Sequence, residues 1–478
     1  MVRKLAANRQ VLTKILYLMN VDSYIKSDGI DVKVWGRDHF LRYPERVWRA
    51  YSSQNRRALM DNIAFAATME MPNLLGVDRM EYNTAYPMFA SVFFENVVQD
   101  LLYTADGGPS SPIEALKKFI NTEFVFDSYD VKHPDKHRDT EEAAVISFTF
   151  GKESLLTYAL LRELGMPTHL VFTKNPLEAR KPDDYYSYQG EHVERLRKTL
   201  KNKFKQDLVL LENELMLLTS DEYLRLPETT ISLCTLMTNF ALTLLPFNNY
   251  YKARYLFFGN EQSCNDSYIN KEGFKCYPVF DQSARWTLQI DSMARLLTKD
   301  KVRVGSLMEP LHELAIVKIL HGRYKDLGRL QMSCFSDNEH GRESHWCQSC
   351  SKCVRIFLFL HANGIDPKTL GFKDNLFKKE KKNLYSLLRE TNDDKNMIMY
   401  DRTGTGRDEQ LFSFYLAHKQ GVKGDLMDEF KKKHLEEATA REDELYRKFF
   451  NLYEPMNIPK GLKKPLLSIY REELSEVL

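Results

Sequence analysis

Two stretches of the chain carry residue types at spacings that could do chemistry. In 332-MSCFSDNEHGRESHWCQSCSKCVRIFLFL-360, Cys334, Cys347, Cys350 and Cys353 follow a C-x12-C-x2-C-x2-C spacing. Four thiolates are enough for a closed tetrahedral zinc site. Lys352 and Arg355 stand beside them to offset the sulfur charge, and His340 or His345 could replace one ligand. A cysteine-ligated iron–sulfur cluster is the rival occupant, and unliganded buried cysteines are the plain alternative. With no carboxylate in the set and no open position, the pattern points to a structural metal. The second stretch is 143-AAVISFTFGKESLLTYALLRELG-165, where an apolar, β-branched run ends in Thr149-Phe150-Gly151-Lys152-Glu153-Ser154 and turns at once into a helical pattern. Such a turn gathers backbone N–H groups, two hydroxyls, an ammonium and the positive end of a helix, the makings of an anion site. An ordinary strand-to-helix junction looks much the same. Neither G-x-x-x-x-G-K-[ST] nor G-x-G-x-x-G is present, which excludes two standard phosphate loops.

The elements that must position these residues follow from periodicity. Strand 143–150, helix 152–164, strand 168–173, a polar loop 174–189, helix 190–204 and strand 207–213 alternate as a right-handed parallel α/β sheet does. An apolar helix near 230–245 and a strand at 254–260 continue the series, and ligands in such sheets sit at the carboxyl ends of the strands. Upstream, 46–71 and 85–103 have helical spacing, so residues 1–138 read as mostly helical, and 126–142 reads as a polar linker. The expected division is a helical N-terminal region (1–138), an α/β nucleotide-binding domain (139–330), a zinc module with substrate-side residues (331–415) and a charged helical tail (416–478). No internal repeat is evident.

The 478 residues are 43% hydrophobic and 28% charged, as in a folded globular protein. Lys+Arg (68) and Asp+Glu (66) nearly cancel to a net +2, so global charge selects no partner. The basic runs 195-RLRKTLKNKFK-205 and 377-FKKEKKN-383 read as solvated helix faces before nucleic-acid patches. No secretory leader is visible, and the most apolar run, 231–247, is interrupted by Asn239. A cytoplasmic protein without a membrane segment is the expectation. Clustered cysteines in such a chain suggest metal before disulfides.

Thr149 to Ser154 align with the S-G-G-x-D-S signature of the PP-loop ATP pyrophosphatases, with Phe150 in place of the first glycine and Glu153 in place of the aspartate. With the downstream cysteine spacing, the chain resembles the 7-cyano-7-deazaguanine synthases. It is more similar to the ATP-dependent epimerases of UDP-N-acetylmuramoyl-L-alanyl-L-glutamate, whose loop has a Gly-Lys-Asp-Ser form. The likeness continues through 254-RYLFFGNEQSCND-266, 281-DQSARWTLQID-291, 305-GSLMEPLHELAIVKIL-320 and 370-LGFKDNLF-377, covering roughly residues 140–415. It implies an adenine nucleotide α-hydrolase-like fold that uses ATP, Mg2+ and Zn2+. The expected activity is adenylation of a carboxylate on a small-molecule or nucleotide-linked substrate, in the epimerase-like members followed by inversion of a glutamate α-carbon. Thr149, Phe150, Gly151, Lys152, Glu153, Ser154 and Phe172 would then contact the nucleotide, with Lys152, Glu153 and Ser154 aligning the phosphates.

Further candidates lie on other loops. Asn260 is placed to hydrogen-bond substrate and Glu261 to bind metal or act as a base, against the plain reading of 259-GNEQ as a solvated turn. Asp281, Gln282, Ser283 and Arg285 form a polar group in which Arg285 could hold a carboxylate or phosphate, or simply lie on the surface. Glu309 and Glu313 read as an exposed helix edge, and 403-TGTGRDEQ-410 as a mobile glycine loop or an anion nest assisted by Arg407. Two rival functions remain at this stage. One is a tRNA- or nucleobase-modifying enzyme with Cys264 as sulfur carrier. The other is a zinc-stabilised nucleotide-binding protein without turnover. Oligomeric state is not legible.

Overall fold

The computed structural model describes residues 18–106, 110–131, 133–174, 188–219, 221–224, 236–334, 336, 338–389 and 403–475. In chain order the strands are β1 (Leu18–Ile25), β2 (Gly29–Val34), β3 (Arg37–Arg42), β4 (Arg79–Ala85), β5 (Glu123–Ser128), β6 (Glu141–Ser147), β7 (Thr168–Lys174), β8 (Leu208–Asn213), β9 (Ala253–Phe258), β10 (Tyr268–Ile269), β11 (Lys275–Cys276) and β12 (Arg303–Ser306). β10 and β11 pair only with each other, and the other strands form one sheet in the order β12-β9-β6-β7-β8-β3-β2-β1-β4-β5.

The half from β6 onward is the parallel α/β sheet expected from the alternation of strands and helices. β6, β7, β8, β9 and β12 all run parallel, and β6 lies between β7 and β9. The chain winds outward from β6 through β7 and β8, then returns to the other side of β6 as β9 and β12. The crevice of such a sheet opens where the direction reverses, between β6 and β9 at their carboxyl ends. Their registers put the two ends side by side, with Val145 opposite Leu256 and Ile146 opposite Phe257. Both faces are apolar because successive residues point to opposite sides. Ala144, Ile146, Tyr255 and Phe257 enter one core with the helices Lys152–Glu163 and Gln189–Phe204. Val145, Leu256 and Phe258 enter the other with Leu236–Tyr251 and Ala284–Leu297.

The N-terminal region is not mostly helical, which corrects the sequence expectation. Helices Ser53–Ala66 and Ala90–Thr104 form where helical spacing placed them, but β1–β5 lie between and around them. β1, β2 and β3 are antiparallel neighbours, and β4 and β5 extend the sheet in parallel beyond β1. These short strands give weak local signals because pairing partners outside the window stabilise them. The β2–β3 turn is Trp35-Gly36, both with positive φ (52° and 72°), as a two-residue hairpin turn requires. β3 then pairs antiparallel with β8, Leu41 opposite Asn213, and fuses the halves into one sheet. The second core also includes residues of both halves.

The charged tail forms helices Gly404–Lys419, Asp425–Lys433, Leu435–Ala440, Glu442–Phe450 and Lys460–Leu474. It braces the segment after β12: the Tyr470 hydroxyl donates to the Leu307 carbonyl at 2.7 Å, and the Glu309 carboxylate accepts from the Met456 and Asn457 N–H groups. Among the described residues no helix is long and apolar enough to cross a membrane.

Candidate active site and metal centre

The loop after β6 and the loop after β9 meet at the point where the sheet reverses. A Cβ on Gly259 would fall inside 3.0 Å of the Glu153 Cβ, so only glycine lets the first turn of helix Lys152–Glu163 approach the end of β9 this closely. The first loop is self-bonded. The Ser154 hydroxyl accepts from the Thr149 N–H at 3.2 Å and donates to the Gly151 carbonyl at 3.1 Å, while the Thr149 hydroxyl accepts from the Gly151 N–H at 3.3 Å. Gly151 is the N-cap residue and no side chain caps the helix, which leaves its first N–H groups for another acceptor.

Phe150 has φ 59°, the left-handed conformation that glycine adopts freely and that costs another residue roughly 1–2 kcal/mol. Its ring is fully buried and meets Phe148 edge-on, with centroids 4.9 Å apart. Burial of the ring offsets the strain, and the loop keeps a glycine-like backbone without a glycine. Phe172 is likewise a core residue.

Lys152 is buried and lies among acids. Its ammonium pairs with the adjacent Glu153 and, at 2.8 Å, with Glu313. Burial opposes the lysine charge, but Glu153 and Glu313 outweigh it and hold the ammonium above the usual lysine range. Glu313 starts the helix Glu313–Arg323 and also receives Arg355 at 3.3 Å. Burial penalises its charge too, yet Arg355 and Lys152 keep the carboxyl below its ordinary value. Glu309 and Glu313 are therefore not an exposed helix edge. Both are buried, Glu309 capping backbone N–H groups and Glu313 joining two cations. Helical periodicity places them on one element but says nothing of the loop-over-loop packing that buries them.

Glu261 follows β9. Its carboxylate accepts from the Ser263 N–H at 3.0 Å and the Ser263 hydroxyl, and the Cys264 thiol lies 3.5 Å away. Burial and then the nearby Glu313 push its pKa up to about 8, with Lys152 opposing. That direction brings the carboxyl from the ordinary carboxylate range toward the range useful for general acid–base work. Burial raises the Cys264 thiol as well, with Glu261 adding to the effect, which is the wrong direction for a thiolate sulfur carrier. Asn260 donates to the Thr287 hydroxyl at 3.0 Å, while its buried side-chain oxygen has no protein partner.

The group at 281–285 packs beside these residues: the Ala284 N–H donates to Asn265 at 2.8 Å. Ser283 caps helix Ala284–Leu297 by accepting from the Trp286 N–H at 3.1 Å, Gln282 ends a short 3-10 turn, and Arg285 pairs with Glu95. At 403–410 the structure shows a helix start, with the Thr403 hydroxyl accepting from the Gly406 N–H at 2.9 Å. Arg407 binds Glu437 bidentately at 2.8 and 2.9 Å. That geometry is neither a glycine loop nor an anion nest. Residues 397–400 of the run before it lie outside the described residues.

Among the described residues, Cys334, Cys347, Cys350 and Cys353 form the one convergent metal-ligand group, every sulfur within 4.8 Å of the others. Cys334 and Cys350 are 4.0 Å apart and Cys347 and Cys353 3.8 Å. A tetrahedron with zinc–sulfur bonds of about 2.3 Å has edges of about 3.8 Å, so the group could hold one zinc ion. Several irons inside would spread the sulfurs further. The Ser336 and Cys347 N–H groups donate to the Cys334 sulfur at 3.3 and 3.4 Å, and Cys350 occupies the N-cap position of helix Ser351–Ala362 without a side-chain capping bond; the donors and the helix N-terminus favour thiolates. His345 is no ligand: its ring accepts from Arg195 at 3.3 Å, and burial lowers its pKa to about 3. The six described cysteines are all free of disulfides. Among the described residues the acids around Lys152 do not converge into a similar group.

Sequence reasoning brought together Thr149–Ser154, Gly259–Glu261 and the four cysteines. It read Glu313 as an exposed helix edge and Arg355 as a counter-charge to the sulfurs, and missed the pair they form; the only signal was the placement of charged residues in otherwise apolar helices. No protein-family model and no curated protein matches the chain.

Proposed function

We propose that the chain is an ATP-dependent enzyme that adenylates a substrate carboxylate, releasing pyrophosphate and then AMP. The observation that carries the reading is the position of Lys152: a buried ammonium at an uncapped helix N-terminus, at the carboxyl end of β6, where the sheet reverses. The loop N–H groups and Lys152 would align the triphosphate, and Glu153 would help hold a magnesium ion that would offset the phosphate charge. Asn260, whose buried side-chain oxygen has no protein partner, and Glu261, whose carboxyl pKa burial raises, follow Gly259 where it meets the first loop and suit the acyl partner. The resemblance to the PP-loop ATP pyrophosphatases supports the same chemistry, and the left-handed backbone at Phe150 accommodates the chain's departure from their glycine. Zinc in the cysteine centre would be structural, and four reduced thiols suit a cytoplasmic setting.

Calorimetry with ATP and Mg2+ tests the site. Wild type should bind and Lys152→Ala should bind at least about tenfold more weakly, since a charge-assisted phosphate contact is lost. Absence of binding by wild type, or unchanged binding by the variant, refutes the reading. Pyrophosphate release across carboxylic acids and UDP-linked acids then assigns the substrate. Release with UDP-N-acetylmuramoyl-L-alanyl-L-glutamate assigns the epimerase branch, and release only with other acids assigns a relative.

A further inference from the structure

The metal centre touches the loop after β6 by two routes. Met332, just before Cys334, donates its N–H to the Phe150 carbonyl at 2.9 Å, at the residue whose backbone is left-handed. On the other side, helix Ser351–Ala362 leaves the centre through Cys353 and presents buried Arg355 to Glu313 at 3.3 Å. Glu313 in turn holds Lys152 at 2.8 Å. The chain Arg355–Glu313–Lys152 therefore links the helix that carries Cys353 to the ammonium of the candidate nucleotide site.

Glu313 sets a problem for an anion arriving at Lys152. Claimed by Glu313 and Glu153 together, the ammonium has little charge to offer a phosphate. Once a phosphate draws it away, Glu313 would be left as a bare buried carboxylate facing further negative charge, a costly state. Arg355 solves both parts. It shares the carboxylate before the ligand arrives and compensates it afterwards, and it is held in place by a helix whose N-cap and first turn each carry one of the four cysteines.

We propose that Arg355 is a positioning residue for the nucleotide, holding Glu313 so that Lys152 is released to the triphosphate, with the cysteine centre fixing its place. The proposal rests on the ATP reading of this crevice and goes beyond it by making the metal centre part of nucleotide affinity.

The test is a double-mutant cycle read by ATP·Mg2+ calorimetry, with bound zinc and melting temperature measured on every protein. Arg355→Gln leaves Glu313 to Lys152 alone and should weaken ATP binding by about tenfold or more, equivalent to ~1.4 kcal/mol. Glu313→Gln combined with Arg355→Gln removes the competitor as well and should return affinity to within about threefold of wild type, a factor below ~1 kcal/mol. A purely structural role for Arg355 would not give that rescue, and the double variant avoids a lone buried charge should Arg355→Gln fold poorly. Unchanged binding by Arg355→Gln overturns the proposal. So does a double variant as weak as the single one, which would mean that Arg355 contacts phosphate itself. In either case the ATP site stands. Absence of ATP binding by wild type overturns the ATP reading and this proposal together.

Discussion

Gly259→Ala is the sharpest probe of the geometry at the crevice. The added methyl would lie inside 3.0 Å of the Glu153 Cβ, with the Glu153 Cγ at 3.4 Å. Carbon atoms settle at about 3.5–4.0 Å, so the first turn of helix Lys152–Glu163 must recede from β9 by more than about half an ångström. Overpacking of this kind costs about 1–3 kcal/mol, which for a chain of this size lowers the melting temperature by roughly 1–3 °C. The larger effect falls on the ligand site, because the shift moves the helix N-terminus and Lys152 relative to the second loop. Misplacement of about 1 Å costs on the order of a hundredfold in a positioned reaction, and half of that should weaken ATP binding about tenfold. Gly461→Ala, in helix Lys460–Leu474 and outside the candidate site, is the control: an added Cβ there meets nothing within 4 Å. Scanning calorimetry and ATP titration of the two variants decide the matter. A Gly259→Ala protein that melts and binds like wild type would refute the close approach of the two loops.

Two further outcomes follow from the buried groups. Cys353→Ser should abolish stoichiometric zinc binding and lower stability by several kcal/mol, on the order expected when a structural zinc site is broken; metal analysis and thermal melting check this. Burial, with Glu70 adding, pushes the Asp281 carboxyl up to about 7 from its usual 3.8. Between those values the unfolded chain releases the proton while the folded one keeps it, so this group makes stability fall as pH rises from about 4 to 7 and level off above. Asp281→Asn should therefore raise the melting temperature more at pH 8 than at pH 5, and an equal effect at both would refute the shift.

Several features were legible in the sequence because their causes are local. The alternation of apolar runs with helical spacing after residue 140 specified parallel strands and crossover helices. The cysteine spacing specified a four-thiolate centre, since C-x2-C-x2-C on a turn leading into a helix can hardly avoid convergence. The strand, the glycine and the helix start around Thr149–Ser154 were visible for the same reason. β1–β5 were not, because their strand form depends on pairing with partners far along the chain rather than on a local pattern.

Tertiary structure alone decided the identity of the charges around Lys152. Nothing near residue 313 in the sequence tells a solvated glutamate from one buried between two cations. That depends on helix Glu313–Arg323, helix Ser351–Ala362 and the charged tail closing over one loop. Phe150 makes the same point from the other direction. The sequence shows a bulky residue where flexibility is expected, and only the packed structure shows its ring filling the core while its backbone takes the glycine conformation. Composition and spacing determine which elements form and which ligands they offer. The protonation and availability of each group depend on burial and on opposite charges brought from distant segments, and these exist only in the folded chain.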